Sequence, residues 1–115
     1  MKTHRLIMPG DLNQYGFLFG GKMLAWVDEA SWIAASLQYP ECRFVTVGMD
    51  KVEFHTGVEE GVILEIECQQ SKVGKTSISY QVEVRKGRGD ELESVFSTCV
   101  SFVNMGADGQ KAAIA

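Results

Sequence analysis

The segment over residues 20–37 constrains the fold of this chain more than any other segment. It is rich in strong helix formers, carries apolar side chains around most of its circumference, and ends just before Tyr39 and Pro40, as helices tend to. A helix that is apolar nearly all round must be enclosed. Because 115 residues make one ordinary domain with a small core, a sheet built from the rest of the chain should curl around this helix, with partner subunits covering what remains.

The rest of the chain alternates between apolar and polar residues, which is the pattern of half-buried antiparallel strands. A short strand is predicted before the helix, over residues 4–8. Four more strands are predicted after it, over residues 45–54, 62–69, 78–84 and 95–103. The apolar parity changes around Gly48–Asp50, which predicts a bulge or kink there. Turn signals between the later strands predict consecutive hairpins, with turns near residues 57–61, 73–74 and 87–90.

These elements predict an α+β protein in which a long central helix is wrapped by a curved antiparallel sheet. A single domain is expected over residues 1–105, and residues 106–115 are expected to form a flexible C-terminal tail. The longest apolar segment, residues 23–37, is interrupted by Asp28 and Glu29. Neither a membrane span nor a signal peptide is therefore predicted, and the expected location is cytoplasmic.

Charge and cysteine content narrow the classes of partner. The net charge of −4 and the pI near 5.1 argue against a nucleic-acid-binding surface, because phosphate contacts need clustered Lys and Arg side chains. An anionic ligand would need a local basic patch. The three cysteines, Cys42, Cys68 and Cys99, lack the spacing of metal ligands, which predicts reduced thiols and no metal site.

Asp28 is the residue of the predicted helix that most needs an explanation. Lys22, Glu29 and Ser36 are seven residues apart and share one polar stripe, so Glu29 is expected to be solvated. Asp28 lies about 100 degrees away from that stripe, on a face without a cation. Keeping a carboxylate charged among apolar side chains is costly. From the helix alone, hydrogen bonds from a loop or an unseen cation explain Asp28 as well as catalysis does.

Several short motifs occur in an order that is specific when they are taken together. They are Pro9-Gly10-Asp11-x-Asn13, Gly16, Phe19-Gly20-Gly21, Trp26-x-Asp28, Val45-Thr46-Val47, Met49-Asp50-x-Val52-x-Phe54 and Val73-Gly74-Lys75-Thr76-Ser77. With these motifs the chain resembles the hotdog-fold acyl-CoA thioesterases of the bacterial short-chain type and their eukaryotic cytosolic relatives. The resemblance covers about residues 5–103.

The resemblance implies a hotdog fold and hydrolysis of an acyl-CoA to a free acid and CoA, with no metal and no cofactor apart from the CoA of the substrate. It also implies a homodimer with active sites at its interface, often assembled as a trimer of dimers. Asp28 would be the catalytic carboxylate, acting as general base or as nucleophile. Asn13 would orient water or the thioester, and an Asx-turn that closes its loop is an equally good explanation of this residue.

The start of the helix offers donors for the thioester oxygen. Unpaired N–H groups and the helix dipole favour negative charge at Gly20 and Gly21, and glycine allows close approach of a ligand. Glycines at a helix start also occur for steric reasons alone. Thr46 is a candidate supporting hydroxyl from the next strand, although strand threonines are commonly just β-branched surface residues.

Distance along the helix makes a prediction about assembly. Gly20 and Asp28 are eight positions apart, which is about 12 Å at about 1.5 Å per residue, too far for both to act on one carbonyl group. Antiparallel helices from two subunits would bring the glycines of one chain to the carboxylate of the other. The sequence therefore predicts a composite site and an obligate dimer.

The segment around Lys75 resembles the end of a P-loop but fails the test for one. The position that should hold its first glycine is Gln69, and the segment joins two strands instead of opening a helix. The resemblance suggests that this hairpin contacts the phosphates of CoA through Lys72, Lys75, Thr76 and Ser77. Solvated turn lysines are an equally good explanation.

Acyl-CoA thioester hydrolysis is the predicted function. The chain lacks the Gly-x-Ser-x-Gly motif of α/β-hydrolases, and its helix and preceding loop lack the histidine of hotdog dehydratases; His55, near a strand end, is expected to be exposed. The alternative is a non-catalytic hotdog module that binds acyl-CoA without turning it over. A purely structural oligomer component is a third possibility.

Overall fold

The structure, a computed structural model, describes residues 1–114. In order along the chain, the elements are β1 (Lys2–Leu6), α1 (Gly20–Gln38), β2 (Phe44–Phe54), β3 (Ile63–Val73), β4 (Ser77–Arg88) and β5 (Glu91–Asn104). The α+β class and the long helix are confirmed. Strand β1 lies two residues earlier than predicted. Its ladder with β3 ends at Leu6, because the Ile7 N–H donates to the Val62 carbonyl outside the ladder and the Met8 N–H donates to the Asp11 side chain. No helix within residues 1–114 is long and apolar enough to cross a bilayer.

The five strands form one antiparallel sheet in the order β1-β3-β4-β5-β2. The hairpins β3–β4 and β4–β5 are as predicted. The prediction of consecutive hairpins is wrong for β2 and β3, since β2 pairs with β5 at one edge while β3 lies between β1 and β4. The connection carries Val58, which is buried and accepts a hydrogen bond from the Leu18 N–H at 2.6 Å. It therefore crosses the start of α1 instead of reversing tightly.

One face of α1 is buried against the sheet and the other is partly uncovered. The buried face presents Met23, Trp26, Val27, Ala30, Ser31, Ala34 and Ala35. They pack on core side chains of the strands, among which Phe96 and Phe102 are fully buried. On the opposite side Trp32 and Leu37 remain 45% and 72% exposed, so a single chain does not enclose its helix.

The bulge predicted around Gly48–Asp50 is confirmed. The pairing of β2 with β5 shifts register between Thr46 and Gly48, and again after Asp50. Lys51 takes a positive φ of 52°, a conformation rare outside glycine. Across the first shift the less exposed positions of β2 change from Phe44 and Thr46 to Met49, so the side of the strand that is covered changes parity at the bulge.

The C-terminal residues differ from the expected flexible tail. Residues 106–110 make a turn in which Gly106 and Gln110 are hydrogen-bonded, and the chain then pairs with the end of β5 through a bridge between Met105 and Lys111. Ile114 packs partly against the core. The tail was expected to be flexible because chain ends are commonly poorly ordered, whereas its order comes from hydrogen bonds to distant segments.

Candidate active site

The Asp28 carboxylate meets a hydroxyl from the neighbouring strand. Thr46 Oγ1 donates a 2.6 Å hydrogen bond to Asp28 Oδ1, and both residues are half-buried. The indole Nε1 of Trp32, one turn further along α1, donates to the Phe44 carbonyl at 2.9 Å and ties the helix to the start of β2. Asp28 Oδ2 has no hydrogen-bond partner among the described residues. One oxygen is therefore held while the other is free to take a proton or to attack.

The two adjacent acids of α1 have different environments. Glu29 is exposed, as predicted, and its Oε1 accepts a 2.7 Å ion-pair hydrogen bond from Arg5. Within residues 1–114 no basic side chain lies within 4 Å of the Asp28 carboxylate. The structure therefore explains Asp28 by a hydroxyl donor, without a cation.

The start of α1 leaves two backbone donors unpaired. The N-cap residue is Phe19, whose side chain cannot accept a hydrogen bond, and the first N–H groups to reach its carbonyl are those of Lys22 and Met23. The N–H groups of Gly20 and Gly21 have no acceptor among the described residues. An oxygen with developing negative charge would satisfy both groups.

An aromatic ring explains why position 21 is glycine. A Cβ on Gly21 would lie 2.8 Å from the ring of Phe19, and a Cβ on Gly20 would lie 3.5 Å from the ring of Phe54. Phe54 ends β2 and is 55% exposed. Gly21 thus lets the Phe19 ring approach the helix start, whereas a Cβ on Gly20 would make an ordinary van der Waals contact with Phe54.

Asp11 fixes the loop before the helix, a role that was not anticipated from the sequence. Its Oδ2 accepts from the Met8 N–H at 2.9 Å, its Oδ1 accepts from Lys22 Nζ at 3.0 Å, and its carbonyl accepts from the Phe19 N–H. The Met8 N–H and, next, the Lys22 ammonium lower the pKa of Asp11. The N-terminal turn Pro9–Asp11 is thereby fastened to the glycine end of α1.

Asn13 makes the Asx-turn that was one of its two explanations. Its Oδ1 accepts hydrogen bonds from the N–H groups of Tyr15 at 2.9 Å and Phe17 at 3.1 Å. Its Nδ2 makes no hydrogen bond within the described residues. The side chain therefore shapes the loop with its oxygen and keeps an amide donor for a ligand or water.

The hairpin between β3 and β4 lies at the same end of the sheet as Asp28. Thr46, Phe102 and Ile78 are register partners across three adjacent strands, so the start of β4 is about 10 Å from Thr46 at about 4.8 Å per strand. Lys72 and Lys75 are exposed, and neither lies within 4 Å of a carboxylate in the described chain. Thr76 and Ser77 are half-buried, and the Ser77 carbonyl accepts from the Gly74 N–H.

One chain brings together some of the predicted site residues and separates others. Asp28 and Thr46 are in contact, with the lysine hairpin nearby on the sheet. Gly20 and Gly21 lie two turns away, at the other end of an unbroken helix segment. Next to them is a cavity of about 280 Å³ lined by the apolar Leu18, Met23, Phe54 and Val58 and by His55, Thr56 and Gly57. His55 is exposed as predicted, with Nε2 3.3 Å from Ser97 Oγ.

Known proteins share both the sequence pattern and the fold. The model of the thioesterase superfamily matches residues 15–93. An uncharacterized acyl-CoA thioester hydrolase of Zymomonas mobilis is 33% identical over 90 residues, which cover 78% of this chain and 60% of that protein. The chain spans less than two thirds of the length of the first curated relatives it matches.

Two solved structures are similar over almost the whole chain. A hexameric hotdog fold thioesterase of Campylobacter jejuni is 39% identical with a TM-score of 0.87, and the match covers 98% of this chain and 88% of that one. A hexameric broad specificity acyl-coenzyme A thioesterase is 27% identical with a TM-score of 0.89, covering 98% and 84%. The helix enclosed on one side by a five-stranded antiparallel sheet is thus the hotdog fold, and this chain belongs to the thioesterase superfamily.

Proposed function

We propose that this chain hydrolyses acyl-CoA thioesters to the free acid and CoA. The observation that carries the proposal is the Asp28 carboxylate. It is held at one oxygen by Thr46, and within residues 1–114 its other oxygen has no hydrogen-bond partner and no cation lies beside it. Membership of the thioesterase superfamily supports the reaction class. The acyl-CoA thioester hydrolases and thioesterases among its relatives support the substrate class.

The proposed chemistry uses one water per turnover. Asp28 takes a proton from water as the oxygen attacks the thioester carbon, the C–S bond breaks, and the CoA sulfur leaves as thiolate. Alternatively Asp28 Oδ2 attacks the carbon, the C–S bond breaks as the CoA thiolate leaves, and water then hydrolyses the mixed anhydride to the free acid and the Asp28 carboxylate. Transfer of ¹⁸O from solvent water into Asp28 during a single turnover would identify the second route.

A second copy of the chain completes the proposed site. The glycine N–H groups stabilise the oxyanion only when they approach within hydrogen-bond distance, and about 12 Å of helix separates them from Asp28 in one chain. Strand β2 supports pairing of copies, because it is an edge strand and carries Val45 and Val47, which are 50% and 60% exposed. We propose a homodimer with two interface sites, assembled as a trimer of dimers; the hexameric state of two similar thioesterases supports an assembly of six copies.

The remaining site residues are proposed to bind the substrate. The apolar cavity beside Gly20 would take the acyl chain. The exposed ammonium groups of Lys72 and Lys75, with the hydroxyls of Thr76 and Ser77, would contact the phosphates of CoA. The free Nδ2 of Asn13 would donate to the thioester or to water.

Replacing the carboxylate tests the proposal directly. Asp28→Asn should lower kcat by about three orders of magnitude while acyl-CoA binding is retained, because the lost group acts mainly in the transition state. The matched control is Glu29→Gln, which removes the neighbouring exposed acid and should leave kcat within about twofold. Rates should be measured across short, medium, long and aromatic acyl-CoA substrates, with affinity measured by calorimetry. Wild-type protein that binds these substrates without hydrolysing any of them would instead be a binding module.

A further inference from the structure

Asn104 is a buried polar side chain that the proposed chemistry does not use. It ends β5 and is 6% exposed, and all of its hydrogen-bonding atoms have partners. Oδ1 accepts from the Arg43 N–H at 2.8 Å, while Nδ2 donates to the carbonyls of Ala112 at 3.2 Å and Ala113 at 3.1 Å. We call these four residues the Asn104 clasp. It joins the start of β2, the end of β5 and the C-terminal residues.

The Asn104 clasp reaches the lysine hairpin by two connections. The Asn104 N–H donates to the carbonyl of Thr76 at 2.8 Å. The C-terminal residues that the clasp holds continue to Ile114, whose N–H donates to the carbonyl of Lys75 at 3.0 Å. Both of these hairpin carbonyls are thus anchored. The second is anchored through C-terminal residues that the Asn104 amide helps to hold, together with the bond from the Ala112 N–H to the Asn104 carbonyl and the packing of Ile114 on the core.

The two connections differ in how they depend on the Asn104 side chain. The bond to Thr76 is made by backbone and continues the ladder between β4 and β5. The bond to Lys75 depends on residues 112–114 staying beside β5, where the Nδ2 bonds secure Ala112 and Ala113. Changing the side chain should therefore loosen the support of Lys75, while the ladder and the backbone bond from the Ala112 N–H to the Asn104 carbonyl remain.

We propose that Asn104 is a positioning residue that holds the Lys75 hairpin in the geometry needed to bind the nucleotide phosphates of CoA. The inference rests on the proposed function of that hairpin. An exposed lysine on a free loop has to lose conformational freedom when it binds a phosphate, and a loop fixed in advance avoids that loss. The Asn104 clasp therefore acts on substrate affinity and leaves the reacting groups untouched.

The test compares two substrates that differ only in the nucleotide. Asn104→Asp keeps the acceptor for Arg43 but turns the two donor contacts with Ala112 and Ala113 into oxygen–oxygen repulsions. KM for acyl-CoA should rise about tenfold, which corresponds to the loss of roughly one hydrogen bond between Lys75 and a phosphate. KM for the matching acyl-pantetheine, which lacks the nucleotide phosphates, should stay unchanged, and so should kcat for both. Equal changes for the two substrates, or no change, would overturn the proposal.

A second variant and a control separate positioning from general destabilisation. Ile114→Pro deletes the single N–H that bonds to the Lys75 carbonyl and should raise KM for acyl-CoA about threefold, with acyl-pantetheine unaffected. Thr98→Val is the matched control, since it removes a buried hydrogen bond from β5 to the Asp50 carbonyl, away from the hairpin. It should lower Tm without changing the ratio of the two KM values. If Asn104→Asp does not fold, the Ile114 variant decides.

The Lys75→Ala variant distinguishes an error in the positioning role of Asn104 from an error in the proposed binding of CoA phosphates by Lys75. Alone it should raise KM for acyl-CoA selectively, and combined with Asn104→Asp it should add little, because both changes remove the same contact. A selective effect of Lys75→Ala without one of Asn104→Asp would contradict the positioning role. An unaffected KM ratio in Lys75→Ala would show that Lys75 does not bind the nucleotide, and the positioning role of Asn104 would then be wrong while hydrolysis through Asp28 would stand.

Discussion

The two ends of α1 are completed in opposite ways. At its N-terminal end Phe19 offers no side-chain cap, and the N–H groups of Gly20 and Gly21 have no acceptor in the described chain. At its C-terminal end the Tyr39 N–H bonds back to the Ala35 carbonyl, and the chain leads through Arg43 into the Asn104 clasp. Unpaired polar groups are costly unless water or a ligand satisfies them. The contrast indicates that the open end receives the ligand and the closed end supports it.

Asp28 lies between these ends, in the middle of α1, and the proposed function connects it with both of them. It shares its end of the sheet with the lysine hairpin, whereas the N–H groups proposed as its partners in the reaction lie at the open end of α1. Only a second, antiparallel chain would bring an open helix start to this carboxylate. The difference between the two ends therefore predicts that the active unit is a dimer, and mixtures of variant subunits can test this.

The largest expected effect is recovery of activity from two inactive variants. Asp28→Asn removes the carboxylate, and Gly21→Val blocks the helix start, where even a Cβ would lie 2.8 Å from the Phe19 ring. Each homodimer should be nearly inactive. Subunits mixed in equal amounts should recover about one quarter of wild-type activity, since half of the dimers are hybrids and each hybrid has one intact composite site. The measurement is steady-state hydrolysis after co-refolding.

A single-chain site makes the opposite prediction for the same mixture. If Asp28 and Gly21 served one substrate within a chain, every site in a hybrid would carry one defect and nothing would be recovered. Co-refolding wild-type protein with itself controls for losses during refolding. Co-refolding the double variant with the wild type should leave one working site in each hybrid when the site lies within one chain, and none when it is composite.

Sequence alone predicted local features of both ends but little of what joins distant segments. The start of α1 at Gly20, the alternation of the strands and the bulge near Gly48 depend on neighbouring residues, and the structure confirms them. Pairing of β2 with β5 depends on how a crossover packs, which local patterns do not specify. The Asn104 clasp spans more than sixty residues of sequence, so a single asparagine after a strand gave no signal of it.

In the candidate site too, local features could be predicted from the sequence and contacts between distant segments could not. The contact between Asp28 and Thr46 was expected only as a candidate supporting hydroxyl, because a strand threonine looks the same whether or not it meets a carboxylate. Asn13 was equally well explained by a turn, and the structure shows that turn. Asp11 lay within the quoted motif, but its bonds to Met8 and Lys22 become visible only when the loop folds back on the helix.

A smaller effect is expected at the hydroxyl that holds Asp28. Thr46→Val removes the 2.6 Å hydrogen bond and keeps the shape of the side chain. A hydrogen bond to a charged group contributes roughly 1.5–3 kcal/mol, so kcat should fall by about tenfold or somewhat more, with little change in KM. Thr46→Ser, which retains the hydroxyl, should restore most of the rate. A variant that changed KM alone would indicate that Thr46 contacts substrate instead of orienting Asp28.

The smallest expected effect concerns the loop at the open end and its dependence on pH. The Met8 N–H and, to a lesser degree, Lys22 lower the pKa of Asp11 in the folded protein. The ionised carboxylate therefore stabilises the fold above its unfolded pKa of about 4, and this contribution disappears as the pH falls through the lowered folded value.

Asp11→Asn should lower Tm at neutral pH, and the difference from wild type should vanish in strong acid. Lys22→Met should keep part of the pH dependence, because the Met8 N–H remains. Melting curves of the three proteins across acid pH measure this, and a Tm difference that did not depend on pH would show that the Asp11 charge does not hold the loop.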